Sequence, residues 1–118
     1  MTEETPTSTR GGLVLVLSTF ADTDSAERVV RRLVQERLIA CGNVIPGLTS
    51  LYRWQGEMER AAEVLVLMKA PQERVPRLFE RISEIHPYEV PELLALPVDT
   101  VSRAYCEWVG QETTEVTE

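Results

Sequence analysis

The sequence predicts an α+β fold of the ferredoxin-like type, with elements in the order β-α-β-β-α-β and a short helix at the end. Several short apolar runs have the composition and length of strands. They lie at residues 13–17, 64–68 and 93–98. Residues 24–37 and 71–85 instead repeat apolar side chains at helical spacing. Residues 40–70 hold two strand-like runs in succession, which places a hairpin between the two helices.

The first strand is the run at residues 13–17, which is apolar throughout, as expected for a strand covered on both faces or by neighbouring subunits. The first helix is predicted to begin at Asp24, because Asp24 and Glu27 have the spacing of a capping box. The apolar residues that follow share one helical face. They are Ala26, Val29, Val30, Leu33 and Val34. The helix is predicted to end near Arg37.

Residues 40–70 are predicted to form one long antiparallel hairpin. Pro46 and Gly47 interrupt its first arm, which indicates a bulge or bend, and Gly56 is the predicted turn. Each arm exceeds the roughly 5–6 residues of an average strand, so two ordinary helices cannot cover both arms. An uncovered apolar edge promotes aggregation unless a neighbour packs on it. We therefore expect a symmetric homo-oligomer in which the hairpin arm contacts another subunit.

The second helix is predicted after Pro71, which suits a first helical turn. Its apolar residues again share one face. They are Val75, Leu78, Phe79, Ile82 and Ile85. His86 and Pro87 are predicted to end this helix, because a proline disfavours helical backbone at the residue before it. Residues 88–91 are then expected to form an extended connector.

The last two elements are a fourth strand and a short helix. The strand is predicted at residues 93–98, and Pro97 near its end favours a position at the edge of the sheet. Ser102 is the predicted N-terminal cap of the final helix. Gly110 is its predicted stop. Its apolar face would hold Tyr105, Trp108 and Val109.

Composition indicates one globular domain. The 118 residues are 43% hydrophobic and 26% charged, close to the globular average. We predict a folded domain at residues 11–110 and disordered tails at 1–10 and 111–118, because both ends are rich in Thr and Glu. The N-terminus shows no secretory pattern, and no apolar run approaches the roughly 20 residues of a membrane helix. With two cysteines expected to be reduced thiols, we predict a cytoplasmic location and no membrane partner.

The net charge of −7 argues against nucleic acid as a partner, since phosphate backbones need a cationic surface. An RNA-recognition domain shares the element order, but it needs aromatic stacking residues where these strands are aliphatic. Acylphosphatase also shares the fold, but its anion site follows the first strand, where residues 19–24 are acidic here. With neither a glycine-rich phosphate loop nor a G-x-S-x-G motif, the sequence predicts a protein that is not an enzyme.

Two sets of residues are candidates for binding. His86 is the only histidine, and it is either a metal ligand or simply the end of a helix. Cys41 is a ligand, a reactive thiolate or a buried strand residue, and Glu92 could supply a carboxylate. A second set mixes aromatic rings with charges, which suits either a pocket for an anionic or planar ligand or a subunit interface. It consists of Tyr52, Trp54, Glu63, Lys69 and Tyr88.

Two long motifs resemble those of the CutA divalent-cation tolerance proteins. One is ERLIACGNVIPG at residues 36–47, continued by TSLYRWQG at 49–56, and the other is HPYEVPE at 86–92. The resemblance extends over roughly residues 12–109. It implies a homotrimer of ferredoxin-like subunits, an association with copper and other divalent cations, and no catalysis. It also implies a structural similarity to the trimeric PII signal proteins.

The resemblance is incomplete at the proposed copper ligands of the family. Some members carry a Cys in place of Ser18 and a second His in place of Ile85, so this chain keeps only His86 of that set. We expect divalent copper, another divalent cation or a small ligand to bind near His86 between subunits of a homotrimer. The alternative is a PII-like sensor or interaction scaffold that binds a small molecule or a protein partner.

Overall fold

The computed structural model describes residues 12–115 and, for the backbone alone, residues 6–8. Its elements are β1 (Pro6–Ser8), β2 (Leu13–Phe20), α1 (Thr23–Gln35), β3 (Cys41–Trp54), β4 (Glu57–Pro71), α2 (Val75–Ile85), β5 (Leu94–Pro97), β6 (Thr100–Ser102) and α3 (Arg103–Glu112). The predicted tails fall partly on residues 1–5, 9–10 and 116–118, which lie outside the described residues.

Four strands form one antiparallel sheet in the order β3-β4-β2-β5. β1 and β6 form a separate antiparallel pair. The predicted α+β class, with a four-stranded sheet and three helices, is confirmed. In the part of the chain that the structure describes, no helix is both long and apolar enough to cross a membrane.

The core lies between one face of this sheet and the helices α1 and α2. Val16 of β2 and Val66 of β4 are 0% exposed, and they join Leu33 of α1 and Ile82 of α2 in one apolar cluster. Burying a side chain of this size stabilises the fold by about 1.5–3 kcal/mol. The two helices therefore cover one face of the sheet. The other face is not covered by them and can make other contacts.

Capping explains where the first helix starts. It begins at Thr23 rather than at the predicted Asp24, because the carboxylate of Asp22 accepts a hydrogen bond from the backbone N–H of Ser25 at 2.7 Å. This bond satisfies one of the free N–H groups of the first turn and lowers the pKa of Asp22. The helix ends close to the predicted place, where Arg37 takes a left-handed backbone with φ 60°.

The predicted hairpin forms, and both of its predicted special positions are confirmed. The register between β3 and β4 shifts between Ile45 and Leu48, so the strand bulges at Pro46 and Gly47. The turn joins Trp54 to Glu57, and both central residues have positive φ, 51° at Gln55 and 83° at Gly56. Such values are typical of a two-residue type I′ turn, which matches the twist of the flanking strands.

The C-terminal part differs from the prediction at several boundaries. The fourth strand is shorter than residues 93–98, because the chain leaves the sheet after Pro97 and continues into β6. Residues 6–8, predicted as tail, pair with β6 as β1. The last helix runs past Gly110 to Glu112, and the following Thr113 is 2% exposed.

Two arginines from other elements explain the longer helix. Arg37 donates a hydrogen bond to the backbone carbonyl of Glu112 at 3.2 Å, and Arg74 donates one to that of Thr113. Arg74 also forms an ion pair with Glu115 at 3.1 Å. Cationic groups at the end of a helix satisfy its last carbonyls and complement its dipole. The helix therefore continues two residues beyond the predicted stop at Gly110.

The second face of the sheet, which we call the open face, is largely apolar. It carries the side chains that alternate with the core positions of β2 and β4, together with residues of the two edge strands. The apolar ones among them include Leu15, Leu17, Leu65, Leu67, Ile45, Leu94 and Leu96. α3 packs on one end, where Val109 and Leu13 form a small second cluster. Leu94 and Leu96 nevertheless remain 53% and 48% exposed.

Candidate functional site

A cleft of about 680 Å³ opens between the arm of the hairpin and the connector that follows α2. Its wall comprises Thr19, Ser50, Leu51, Tyr52, Trp54, Glu63, Pro87, Tyr88, Glu89, Val90 and Glu92. The volume lies in the range of small-molecule sites. The bulge at Pro46 and Gly47 bends the arm at this end of the sheet, and the turn after α2 brings the connector towards it.

Glu63 and Tyr88 form the most buried polar pair of this wall. Glu63 is 8% exposed, and the phenol of Tyr88 donates a hydrogen bond to its Oε2 at 2.6 Å. Burial, followed by the bond to the Glu63 carboxylate, raises the pKa of Tyr88. The phenol therefore keeps its proton at neutral pH and remains a donor, which fixes the orientation of the carboxylate.

The rest of the wall is aromatic and acidic. Tyr52 and Trp54 come from β3 and are 44% and 46% exposed, so their rings are accessible. Glu89 and Glu92 come from the connector and add two more carboxylates. Among the residues that line the cleft there is neither a lysine nor an arginine. The electrostatic potential of the cleft therefore favours cations over anions.

His86 lies behind this wall and is 7% exposed. Its Nε2 is 2.9 Å from the carbonyl oxygen of Thr19, and its Nδ1 accepts a hydrogen bond from the backbone N–H of Tyr88 at 3.0 Å. The ring stacks on Phe20 with centroids 4.1 Å apart. These contacts require the neutral tautomer with its proton on Nε2, and burial lowers the pKa of His86.

This geometry bears directly on metal binding by His86. A ring nitrogen binds a metal through its lone pair. The Nε2 proton points at Thr19, and the Nδ1 lone pair holds the N–H of Tyr88. Coordination would therefore have to displace the bond to Tyr88. In the arrangement observed, His86 fixes the start of the connector, and its predicted role as a ligand stays a prediction.

Lys69 and Cys41 lie at the other end of the open face. The ammonium of Lys69 is 3.8 Å from the Cys41 sulfur and contacts the side-chain oxygen of Asn43. Tyr105 of α3 lies beside Cys41, and burial raises the pKa of this phenol. Lys69 is six residues from Glu63 along β4, which corresponds to roughly 20 Å. Tyr52, Trp54, Glu63, Tyr88 and Glu92 thus line one cleft, whereas Lys69 and Cys41 lie outside it.

No group of three or more His, Cys, Asp or Glu side chains in the described residues is arranged to hold a metal ion. Ser18 is 0% exposed. Its hydroxyl finds no hydrogen-bond partner within the described residues. Ile85 is half-buried and packs against the core. The described part of the chain therefore offers no converging set of three metal ligands.

Some residues of the site had no sequence signal. Thr19 contributes a backbone carbonyl to His86, and a carbonyl can come from any residue type. Ser50, Leu51 and Val90 also line the cleft, and their residue types do not mark them as site residues. For Glu63 a signal existed, since it continues the alternation of Leu65 and Leu67 and must share their face.

Comparisons with known proteins agree on one family. A family model described as CutA1 divalent ion tolerance protein matches residues 14–112. The divalent-cation tolerance protein CutA of Thermus thermophilus is 44% identical over 99 residues, which cover 84% of this chain and 96% of that protein. Protein CutA of Mus musculus is 40% identical over 106 residues, 90% of this chain but 60% of the mouse protein. The structure of CutA from Synechococcus elongatus superposes with a TM-score of 0.88 at 30% identity, covering 93% and 96% of the two chains.

Proposed function

Because the chain belongs to the CutA1 divalent ion tolerance family, we propose that it is a divalent-cation tolerance protein that acts by binding and not by catalysis. The observation that carries this proposal is the acidic cleft, in which the buried carboxylate of Glu63 is joined by Glu89 and Glu92 without a lining cation. Carboxylates are ligands for many divalent cations. A cation in the cleft would offset the cost of burying Glu63.

A homotrimer of ferredoxin-like subunits is part of the proposal. The strand order β3-β4-β2-β5 and the position of both core helices on one face support the ferredoxin-like arrangement. The apolar open face supports assembly, since monomers rarely expose large apolar patches. Because one chain brings no three metal ligands together among its described residues, the proposed cation site draws ligands from more than one subunit.

Copper is the divalent ion proposed first, with His86, Cys41 and Glu92 as candidate ligands beside Glu63. Imidazole and thiolate ligands suit copper, whereas carboxylates suit harder ions as well. His86 could take part only by releasing the N–H of Tyr88. The free thiols of Cys41 and Cys106 support the proposed cytoplasmic location, since they are compatible with a reducing compartment.

Calorimetric titration of the trimer with Cu(II), Zn(II) and Mn(II) tests the cation site. Glu63→Gln keeps an acceptor for Tyr88 but removes the charge, so we expect its affinity for the bound ion to fall about tenfold or more. Glu107→Gln is the matched control, because Glu107 lies exposed on α3 and outside the cleft. Equal affinity in the wild type and in Glu63→Gln would overturn the proposed site, and His86→Gln tests the histidine in the same assay.

The alternative is a PII-like sensor or scaffold that binds a small molecule or a protein partner. The volume of about 680 Å³ and the aromatic wall favour it, since a metal ion needs neither. Thermal unfolding separates the two functions, because a ligand that binds the folded state raises the melting temperature. A shift with divalent ions but not with nucleotides supports metal tolerance, and the reverse supports the sensor.

A further inference from the structure

Cys41 and Lys69 form a pair of nucleophilic side chains outside the cleft. They lie directly opposite each other in the ladder between β3 and β4, so their side chains share the open face. The ammonium of Lys69 is 3.8 Å from the sulfur of Cys41, and both side chains are half-buried. Lys69 is the only lysine of the chain, and the proposed function gives it no role.

The surrounding chain holds this pair in place. The side-chain oxygen of Asn43, two residues along β3, contacts the ammonium of Lys69 and keeps it on the side of Cys41. The backbone N–H of Ala40 donates a hydrogen bond to the carbonyl of Lys69 at 2.9 Å, which fixes the strand pairing at this point. Tyr105 of α3 lies beside Cys41. The pair is therefore positioned by a single chain, at the end of the open face on which α3 packs.

An oxidised sulfur at Cys41 would meet the amine of Lys69 rather than a second thiol. Cys41 and Cys106 are both free, so Cys41 has no disulfide partner within the described residues. The polar contacts of the Lys69 ammonium in that part of the chain are to a sulfur and an amide oxygen, and neither is a carboxylate. A sulfenic acid is electrophilic at sulfur and condenses with a thiol or a nitrogen that lies close to it.

We propose that Cys41 and Lys69 form a covalent crosslink in response to peroxide, a sulfenamide that joins the sulfur to Nζ. Hydrogen peroxide first oxidises the thiol to the sulfenic acid and is itself reduced to water. The neutral amine then attacks the sulfur. The S–N bond forms, the S–O bond breaks, and the hydroxyl group leaves as water with a proton from the amine. A thiol reductant that attacks the sulfur reverses the link and releases the amine.

The crosslink requires little space and little movement. Hydrogen peroxide is scarcely larger than water, so it can reach a half-buried side chain without a binding pocket. Opposite residues of two paired strands have Cβ atoms about 4.5–5.5 Å apart, and the flexible four-carbon stem of a lysine spans that gap. The inference goes beyond the proposed function and needs no bound cation, since neither residue lines the cleft.

The single lysine provides a direct assay. In a Cys106→Ala background Cys41 is the sole thiol, and a lysine-specific protease cuts the chain only after Lys69. The folded, assembled protein is treated with hydrogen peroxide, then denatured and digested without reductant. A sulfenamide removes the ammonium that the protease recognises, so we expect the oxidised chain to stay intact and to be lighter by two hydrogen atoms. Dithiothreitol should restore the cut.

An oxidised chain that is cut as readily as the reduced one would overturn the inference. This outcome includes a thiol that peroxide does not reach in the assembly, a disulfide between subunits and a sulfinic acid, because each leaves Lys69 unmodified. Cys41→Ala is the negative control and should remain fully cleavable after the same treatment.

Lys69→Arg is the matched variant, because arginine keeps the positive charge but its guanidinium stays protonated and does not attack the sulfur. The sulfenic acid of Cys41 should then persist, and dimedone, which labels sulfenic acids, should label Cys41 several-fold more strongly than in the Cys106→Ala parent. Circular dichroism verifies that each variant is folded, and the protease assay does not depend on this variant. Equal labelling with and without the lysine would show that Lys69 does not capture the sulfur and would refute the inference.

Discussion

Ser18 places a hydroxyl in the core where the described residues give it no partner. Its side chain is 0% exposed and lies opposite Val66 in the sheet. An unpaired buried hydroxyl has lost its water without gaining a hydrogen bond. We predict that Ser18→Ala leaves the free energy of unfolding within about 0.5 kcal/mol of the wild type or raises it, as measured by urea unfolding at one protein concentration.

Thr113 supplies the matched comparison for that prediction. It is 2% exposed, but its hydroxyl donates a hydrogen bond to the carbonyl of Val109 at 2.8 Å. Thr113→Val removes the bond and conserves the shape, so we expect a loss of about 1 kcal/mol. An equal or larger loss in Ser18→Ala would show that the Ser18 hydroxyl has a partner after all.

His86 makes stability depend on pH in a defined direction. Burial holds its pKa below the ordinary value of 6.5, so the unfolded chain binds a proton more readily than the folded chain. The stabilisation is complete above about pH 6.5 and is lost as pH falls through the lower, folded pKa. We predict that the free energy of unfolding falls on acidification by at most about 1.4 kcal/mol per pH unit from this residue.

His86→Gln isolates that contribution, because His86 is the only histidine in the sequence. The amide can still donate to Thr19 or accept from Tyr88, but it does not titrate. Urea unfolding of both proteins between pH 7.5 and 5 should give converging stabilities as pH falls. Parallel curves would mean that the pKa of His86 is the same in the folded and the unfolded chain. The observed contacts would then not favour the neutral ring.

The chemical character of individual side chains could be predicted from the sequence better than their grouping in space. Glu63 and Tyr88 were named together and do meet, at 2.6 Å. Lys69 was placed with them but lies at the far end of the same strand face, beside Cys41. Charge and aromatic character can be seen in a sequence, whereas the distance between two positions of one long strand depends on its register. Because Lys69 does not line the cleft, the expected ligand of the cleft is a cation rather than an anion.

Among the elements, α1 and β3 lie close together at Gly42. A Cβ at this position would lie 2.7 Å from a methyl group of Val30, closer than packing permits. We predict that Gly42→Ala lowers the free energy of unfolding by about 1–3 kcal/mol, because either the helix or the strand must shift. Urea unfolding measures the loss, and a variant as stable as the wild type would contradict the observed packing.

Gly110 is the control for that substitution, since a Cβ there would meet no atom within 4 Å. It lies inside α3, where alanine is favoured over glycine. Gly110→Ala should therefore raise the free energy of unfolding by about 0.5–1 kcal/mol. If the two Gly→Ala changes shift the free energy of unfolding in opposite directions, the effect of packing at Gly42 is distinguished from that of backbone entropy at Gly110.

Element order and the hairpin could be predicted because they depend on local patterns. The bulge followed from Pro46, and the turn followed from Gly56. The end of α3 could not be predicted from Gly110, because Arg37 and Arg74 cap it from distant parts of the chain. The pairing of residues 6–8 with β6 could not be predicted either, because a Thr-rich segment has no strand pattern of its own.

For the whole molecule, the open face is the feature that a single chain does not explain. Leu96 lies on it, in an edge strand, and is 48% exposed. We predict that the wild type sediments as a trimer of 13.3 kDa chains and that Leu96→Glu shifts it towards the monomer. The reason is that burying a carboxylate against an apolar neighbour is unfavourable.

Val34→Glu is the matched control, because Val34 is similarly exposed, at 40%, but lies on α1 at the other side of the sheet. It should leave the sedimentation coefficient unchanged. Dissociation in both variants would mean that added charge, and not the position of Leu96, weakens the assembly. The sequence predicted an uncovered apolar edge on the hairpin arm and allowed neighbouring subunits to cover residues 13–17. The structure adds Leu94 and Leu96 of β5 to that surface.

The short strand β5 has a further consequence for how the cleft behaves over time. It has four residues and lies at the sheet edge. Among the described strands it pairs only with β2, which is about 80 positions away in the chain. Short, exposed edge segments exchange their amide hydrogens through local opening well before global unfolding. The connector that forms one wall of the cleft runs from His86 to this strand. A bound cation that holds the connector should therefore slow hydrogen exchange in β5, although it touches none of the strand's backbone amides.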